Sequence, residues 1–466
     1  MRQNGPNNTQ GFSGQPRGST PEGQTSPAGN VDGAGYSYPR DLARFVRDRW
    51  SEVAEDGAVE VPLPDDAILE HFFSACYQAS LLREEERPVT FRAILAPPAS
   101  FPSRGIPPES LQRLEFARPF AFDAMELRRL SVATDPQRSV IGVRWDEYAG
   151  PQIWGVINSG SRWLRDVQGG RRAGAPLPLA PLIHVDAPGT MAVYKGHTLL
   201  ARLQRGQLSG LRADPFVSAW LPEQFADFEQ DLLARHEVAA RRARDEKGET
   251  WARLEPALPR RISERMVKRV IAVLRAARHG GTIIFVPQTN TAELRSEEPY
   301  IDLKYRFRAG QPQHSFPDLV VDILNRLAQK HGADGPSDAP VGWAEFESAT
   351  DDRLETLDEA LFETAHLIAG LAAADGAVVI TKGHDLLGFG GMISGRLPAV
   401  SSVARAADPE GERVTDEEAK NVGARHRSAY RLAGALPGSV VIVISQDGGV
   451  RFVSQKNGRV TYWEQE

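Results

Sequence analysis

The sequence predicts two α/β units in tandem: a C-terminal mixed β-sheet flanked by helices, preceded by a separate α+β domain. Three observations carry this expectation. A chain of 466 residues exceeds the size at which one hydrophobic core stops growing, so two or more folded units are expected. From Arg260 onward, apolar positions at helical spacing alternate with short, continuous β-branched runs. Between 89 and 208 the β-rich runs are closely spaced and divided by turn signals.

Taken in order, residues 1–36 are dominated by Gly, Pro, Asn, Gln, Ser and Thr with almost no aliphatic side chains, and are expected to form a disordered tail. Order begins at Tyr38-Pro39, where Leu42, Phe45, Val46 and Trp50 fall at helical spacing behind a proline suited to a helix start. A helix over 65–82 follows, then strands at 89–97, 139–148 and 153–160, and an antiparallel meander over 181–208. This first domain is placed at 37–235. A long charged helix begins near Phe225 with Gly248 as its break, and 236–259 reads as a solvated helical linker.

The second domain, 260–466, opens on an amphipathic helix carrying Ile262, Met266, Val270, Ile271, Val273 and Leu274, stopped by Gly280-Gly281. TIIFVP at 282–287 is a buried strand. About sixty mostly polar residues lead to an apolar helix over 353–373 and the strand DGAVVI at 375–380. A helix over 425–436, the strand SVVIVIS, the strand VRFVSQ, an Asn457-Gly458 hairpin turn and VTYW close the chain.

Hydrophobic residues at 41% and charged residues at 25% leave ample material for cores. A net charge of −6 and a pI near 6.0 provide no chain-wide basic field, so no nucleic acid is expected as a partner. Cys76, the single cysteine, excludes a disulfide framework and a cysteine-built zinc cage, and reads as a small buried hydrophobe. The start has no signal-peptide pattern and no stretch supplies 18 uninterrupted apolar residues, so a cytoplasmic, non-membrane protein is expected.

Two motifs stand out. Asp375 alone reads as a turn or capping residue, and Arg425-His426-Arg427 alone as a solvated helix face. Gly423, however, permits close backbone approach where the first turn of the following helix turns N–H groups outward, a position that attracts phosphate. Arg425 and Arg427 add charge and bidentate donors suited to a polyphosphate. The ten histidines show no HExxH spacing, GxGxxG is absent, and GFGG at 388–391 reads as a tight strand end. His384 and Asp385 read as a turn pair, and Trp154, Trp163, Trp220 and Trp251 as core or interface residues.

The order helix, GGTIIFV, helix, DGAVVI, GARHRSA, SVVIVISQDGG and closing hairpin resembles the nucleotide-binding domain of diadenylate cyclases over roughly 260–466. The resemblance implies a domain that joins two ATP into cyclic di-AMP with a divalent cation, Mg2+ or Mn2+, as a homodimer or larger assembly. It nominates Asp375, Gly376 and Ala377 for ribose and metal, and Gly423, Arg425, His426, Arg427 and Ser445 for the nucleotide. Asp447 stands where the family has its second acidic segment, as a candidate catalytic and metal residue. Ala424 replaces the family threonine, Ser445-Gln446-Asp447 replaces serine and two glutamates, and the serine-glutamate after the RHR helix is missing from RLAGAL. The first domain resembles the DACNV-type sensor domains that precede such cyclases. The expected function is a sensor-regulated diadenylate cyclase. The alternative is a catalytically degenerate module that holds a nucleotide without turning it over.

Overall fold

The structure, a computed structural model, describes residues 36–52, 59–107, 110–146, 148–160, 177–204, 206–210, 214–289, 299–308, 315–333, 339–446 and 448–465. The expected tail lies outside them apart from Tyr36, as do Trp163 and Asp447. Two large mixed sheets, each covered by helices, follow from Ser37 onward, as the sequence predicts.

The first sheet contains β1 (Phe91–Leu95), β2 (Gln112–Ala121), β3 (Ser139–Asp146), β4 (Gly150–Asn158), β5 (Pro181–Ala187), β6 (Thr190–Lys195), β7 (Thr198–Gln204) and β8 (Gln207–Ser209). Their order is β8-β7-β6-β5-β1-β3-β4-β2, with β1 parallel to β3 and the other neighbours antiparallel. The expected meander is β5 to β8; Gly189 and Gly196 supply its left-handed turn positions, at φ 66 and 59. Phe91, Ala93, Leu95, Ile141 and Ile183 pack with the apolar stripes of α1 (Pro39–Arg49), α2 (Asp66–Ser80) and α3 (Ala124–Ala133). Asp65 caps α2 by accepting from the Ile68 amide at 2.9 Å. Cys76 lies in this layer, fully buried, and burial pushes its thiol up, as expected of an inert core cysteine.

The second sheet contains β9 (Gly281–Val286), β10 (Ile301–Arg306), β11 (Ala377–Thr381), β12 (Leu386–Ile393), β13 (Ser402–Ala406), β14 (Val414–Glu418), β15 (Val440–Ile444), β16 (Val450–Lys456) and β17 (Arg459–Gln465). Their order is β10-β12-β11-β9-β15-β16-β17-β13-β14, with β9 parallel to β11 and β13 parallel to β17. On one face lie α4 (Ala226–Lys247), α5 (Leu258–Ala277), α6 (Phe316–Ala333) and α7 (Asp352–Ala372); on the other lies α8 (Ala424–Ala435). β9, β11 and β15 are buried on both faces, which is why each reads as an unbroken apolar run.

Two features differ from the sequence reading. The segment between β9 and α7 is no featureless polar connection: it supplies the edge strand β10 and α6, which buries Leu319, Val320, Ile323, Leu324 and Leu327. The charged helix α4 ends at Gly248, at φ 68, as expected, yet it is packed along one face. Phe228, Leu232 and His236 are buried, Arg235 pairs with Asp318, and His236 Nδ1 lies 2.7 Å from Asn325 Oδ1. No helix among the described residues is long and apolar enough to cross a membrane.

Candidate functional site

The register of the second sheet decides what meets at its ends. Ile283 on β9 stands opposite Val378 on parallel β11, and Gly281 stands opposite Ile444 on antiparallel β15. The starts of β9 and β11 and the end of β15 therefore share one end of the sheet. Asp375-Gly376, Gly280-Gly281 and Ser445-Gln446 come together there from three distant stretches of chain.

Asp375 is exposed at this end. Gly376 has φ 105, and a Cβ on it would lie 2.6 Å from the Gly390 carbonyl carbon, so only glycine fits between β11 and the GFGG segment of β12. Ala377 is 3% exposed and points into the layer beneath α8, leaving its backbone as the part that lines the sheet end. Ser445 closes the following turn: its amide and hydroxyl both donate to the Gly449 carbonyl, at 2.8 and 3.1 Å.

Gly423 is the N-cap of α8, with no side-chain cap bond and open space where a Cβ would stand. The first-turn N–H groups thus face a free approach. The Arg425 guanidinium reaches back to the sheet, with Nη1 2.7 Å from the Cβ position of Gly280, beside the Gln446 amide. Arg427 instead donates to the Val422 carbonyl just before the helix. Arg425 and Arg427 are exposed, and His426 is half-buried. Among the described residues no group of three or more His, Cys, Asp and Glu could form a metal cage. Asp375 is a single carboxylate, which suits a magnesium-type ion completed by phosphate oxygens and water.

Sequence reasoning missed what holds α8 in place. Arg451 on β16 donates from Nε and Nη2 to Glu464 Oε1, at 3.1 and 2.7 Å, and from Nη1 to the Tyr430 hydroxyl at 3.2 Å. Arg405 donates to Glu464 Oε2 at 2.8 Å, and the Tyr462 hydroxyl to Glu417 at 2.6 Å. The only trace of it in the sequence is one charged residue inside each β-rich run, Arg451 in VRFVSQ and Glu464 in VTYWEQ, which does not reveal the pairing. Also missed is an aromatic stack beside Gly390, where the ring of exposed Tyr305 lies 4.6 Å from that of partly buried Phe389.

His384-Asp385 forms the expected turn, with His384 N donating to the Thr381 carbonyl and Asp385 N to Thr381 Oγ1. The imidazole does not face the sheet end that carries Asp375. It is buried among Phe225, Phe228, Phe285 and Phe316, and its Nδ1 has no hydrogen-bond partner. A cavity of about 40 Å³ adjoins it, lined also by Glu229 and Glu264. Phe285 and Val440 place that cavity at the opposite end of β9 and β15, remote from the motif residues.

Within the first unit, residues 58–158 match a family model described as "Probable sensor domain DACNV". The N-terminal unit contains a probable sensor domain. That match spans α2, α3 and β1 to β4. No curated protein and no solved structure matches the chain.

Proposed function

We propose that the chain is a sensor-regulated, cytoplasmic nucleotide-signalling protein whose C-terminal unit binds ATP at the Asp375–Arg425 end of its sheet. The convergence of DGA, the Gly280-Gly281 step and the start of α8 at that end is the observation that carries this reading. The α8 N-terminus and Arg425 would hold the triphosphate, with His426, Arg427 and Ser445 beside them. Asp375 would hold a divalent ion together with phosphate oxygens and orient the ribose 3′ hydroxyl. The ion would neutralise charge on the reacting phosphate and leaving pyrophosphate.

The finer reading is a diadenylate cyclase. The 3′ oxygen of each ATP bonds to the α-phosphorus of the other, the α–β phosphoanhydride breaks, the hydroxyl protons leave, and two pyrophosphates accompany cyclic di-AMP. This reaction needs two loaded sites facing each other, and so a dimer or higher oligomer. Asp447 would supply the second carboxylate. Ala424 in place of a hydroxyl residue and the Arg427–Val422 contact favour the second reading, a nucleotide sensor without turnover.

Purified full-length protein incubated with ATP and Mn2+ or Mg2+ should yield cyclic dinucleotide and pyrophosphate by chromatography. Calorimetry should show Arg425→Ala weakening ATP binding about tenfold, as loss of one charge-assisted contact predicts. Binding without product would leave the sensor reading; absence of binding would end both.

A further inference from the structure

The two sheets share one wiring. In the first, a helix (α2) leads to β1, an edge strand (β2), a helix (α3), the hairpin β3-β4 and the meander β5-β6-β7. In the second, a helix (α5) leads to β9, an edge strand (β10), the helices α6 and α7, the hairpin β11-β12, an insertion of β13, β14 and α8, and the meander β15-β16-β17. The spatial orders match strand for strand: β2-β4-β3-β1-β5-β6-β7 against β10-β12-β11-β9-β15-β16-β17, read from the same edge. Within these seven strands the directions match too, with one parallel pair in each set, β1 with β3 and β9 with β11; the second parallel pair of the second sheet, β13 with β17, lies outside them. Ala93 stands between Ile141 and Ile183, as Ile283 stands between Val378 and Ile442, and these residues face the layer of α1 to α3 in the first unit and of α4 to α7 in the second. Short, locally connected sheets admit many alternative orders, so seven strands agreeing in order, direction and facing point to one fold used twice.

That correspondence assigns positions. Counting along the paired strands, Arg138 stands where the second unit has Asp375, and Asp186 where it has Ser445. The first copy therefore presents a guanidinium in place of the carboxylate and lacks the anchor for a divalent ion. Its corresponding end nonetheless touches the second copy. Arg278 ends α5 in a left-handed conformation, φ 54, and donates from Nη2 to the Asp186 carbonyl at 3.0 Å. Two residues further on, Gly280 packs against Arg425 and the Gln446 amide.

We propose that the sensor-bearing unit is a divergent second copy of the C-terminal fold, and that it sets the candidate phosphate site by holding Arg278 through the sheet end corresponding to that site. Movement of β5 shifts the α5–β9 junction and with it the seat of Arg425. This regulatory role rests on the nucleotide-binding reading, whereas the docking of the two copies does not.

Docking is tested on the full chain with Asp186→Cys and Arg278→Cys together, Cys76 being buried. A bismaleimide long enough to span an extended arginine side chain should give a crosslink within one chain, seen as a monomer by denaturing electrophoresis and mapped by mass spectrometry. No crosslink, or one between chains, overturns the proposal. Coupling is tested with Arg278→Asn, which suits a left-handed residue yet cannot reach Asp186. The variant should bind ATP at least fivefold more weakly and exchange amide hydrogen faster at 280–286 and 440–446, with an unchanged melting temperature. Unchanged exchange overturns the coupling even where the parent binds no ATP; a parent that binds no ATP but shows faster exchange in Arg278→Asn upholds the coupling and rejects the nucleotide reading alone.

Discussion

His384 and Glu229 line the same cavity, and both are perturbed by burial. Burial holds the imidazole down at about 3 and lifts the Glu229 carboxyl to about 7, the latter with Glu264 adding repulsion and Arg260 opposing it. The signs are opposite. A neutral buried His384 contributes stability above its unfolded value, about 6.5, that is lost as the pH falls toward 3. A protonated Glu229 contributes stability below about 4.5 that is lost as the pH rises through 7. Glu229→Gln should therefore stabilise the protein at pH 8 by about 1–2 kcal/mol, discounted for its half-exposed position, and leave it nearly unchanged at pH 4.5. Urea melts across that range decide it, and an equal effect at both ends would remove Glu229 as the cause. Two glycines of the candidate site make a second contrast. Gly376→Ala meets both φ 105 and the Gly390 backbone at 2.6 Å, so its melting temperature should drop by roughly 5 °C or more. Gly423→Ala has φ −61 and open space, so it should melt with the parent while obstructing phosphate approach to α8. If the two variants melt alike, the packing account of Gly376 fails.

Among the elements, α5 and α7 are clamped by a nearly buried ion pair. Arg269, 3% exposed, donates to the Asp358 carboxylate at 2.6 Å and to its carbonyl at 3.3 Å, with Phe362 under the guanidinium. Arg269→Ala should cost about 2–3 kcal/mol, below the full penalty for a buried pair because Asp358 keeps some water contact. A loss under 0.5 kcal/mol in denaturant melts would show the pair to be dispensable. Both helices were legible from their 3.6-residue apolar period, and β9, β11 and β15 from unbroken β-branched runs. The period of α6 was equally readable in Leu319, Val320, Ile323 and Leu327, but polar flanks on both sides masked it as connection. The edge strand β10 carries only Ile301 and Leu303 as buried residues and has no such pattern. At the candidate site, local chemistry marked Gly423, Arg425 and Arg427, and the family resemblance nominated Asp375. Gly280, Arg278 and the Arg451–Glu464–Arg405 network were not legible, because their roles arise where strands far apart in sequence become neighbours.

At the scale of the molecule, the decisive stretch is the one between the sheets. Sequence pattern put the second domain's start near Arg260, with the preceding helix as a linker. The core continues further back. Trp220 stacks on Trp463 at 4.1 Å and donates from Nε1 to the Pro409 carbonyl at 2.9 Å; Phe216 meets Phe452 edge-on at 5.4 Å, and Phe225 meets Phe285 at 5.3 Å. Leu221, Phe228 and Leu232 join the same apolar layer as α5, α6 and α7. We therefore propose that the C-terminal unit begins near Asp214. Fully burying one large apolar side chain stabilises by about 1.5–3 kcal/mol. Removing Phe216, Trp220, Leu221, Phe228 and Leu232 together would forfeit about 10 kcal/mol, comparable to the whole stability of an ordinary domain, roughly 5–15 kcal/mol. It would also leave Phe452, Trp463, Phe285 and His384 facing water on the sheet. A fragment of 214–466 should accordingly unfold in one cooperative transition. A fragment of 260–466 should be insoluble, or bind a hydrophobic dye without a sharp transition. Calorimetry and dye binding on the two fragments settle the boundary. Cooperative unfolding of the shorter one would return the start of the domain to Arg260 and reduce α4 to a covering helix that the core does not need.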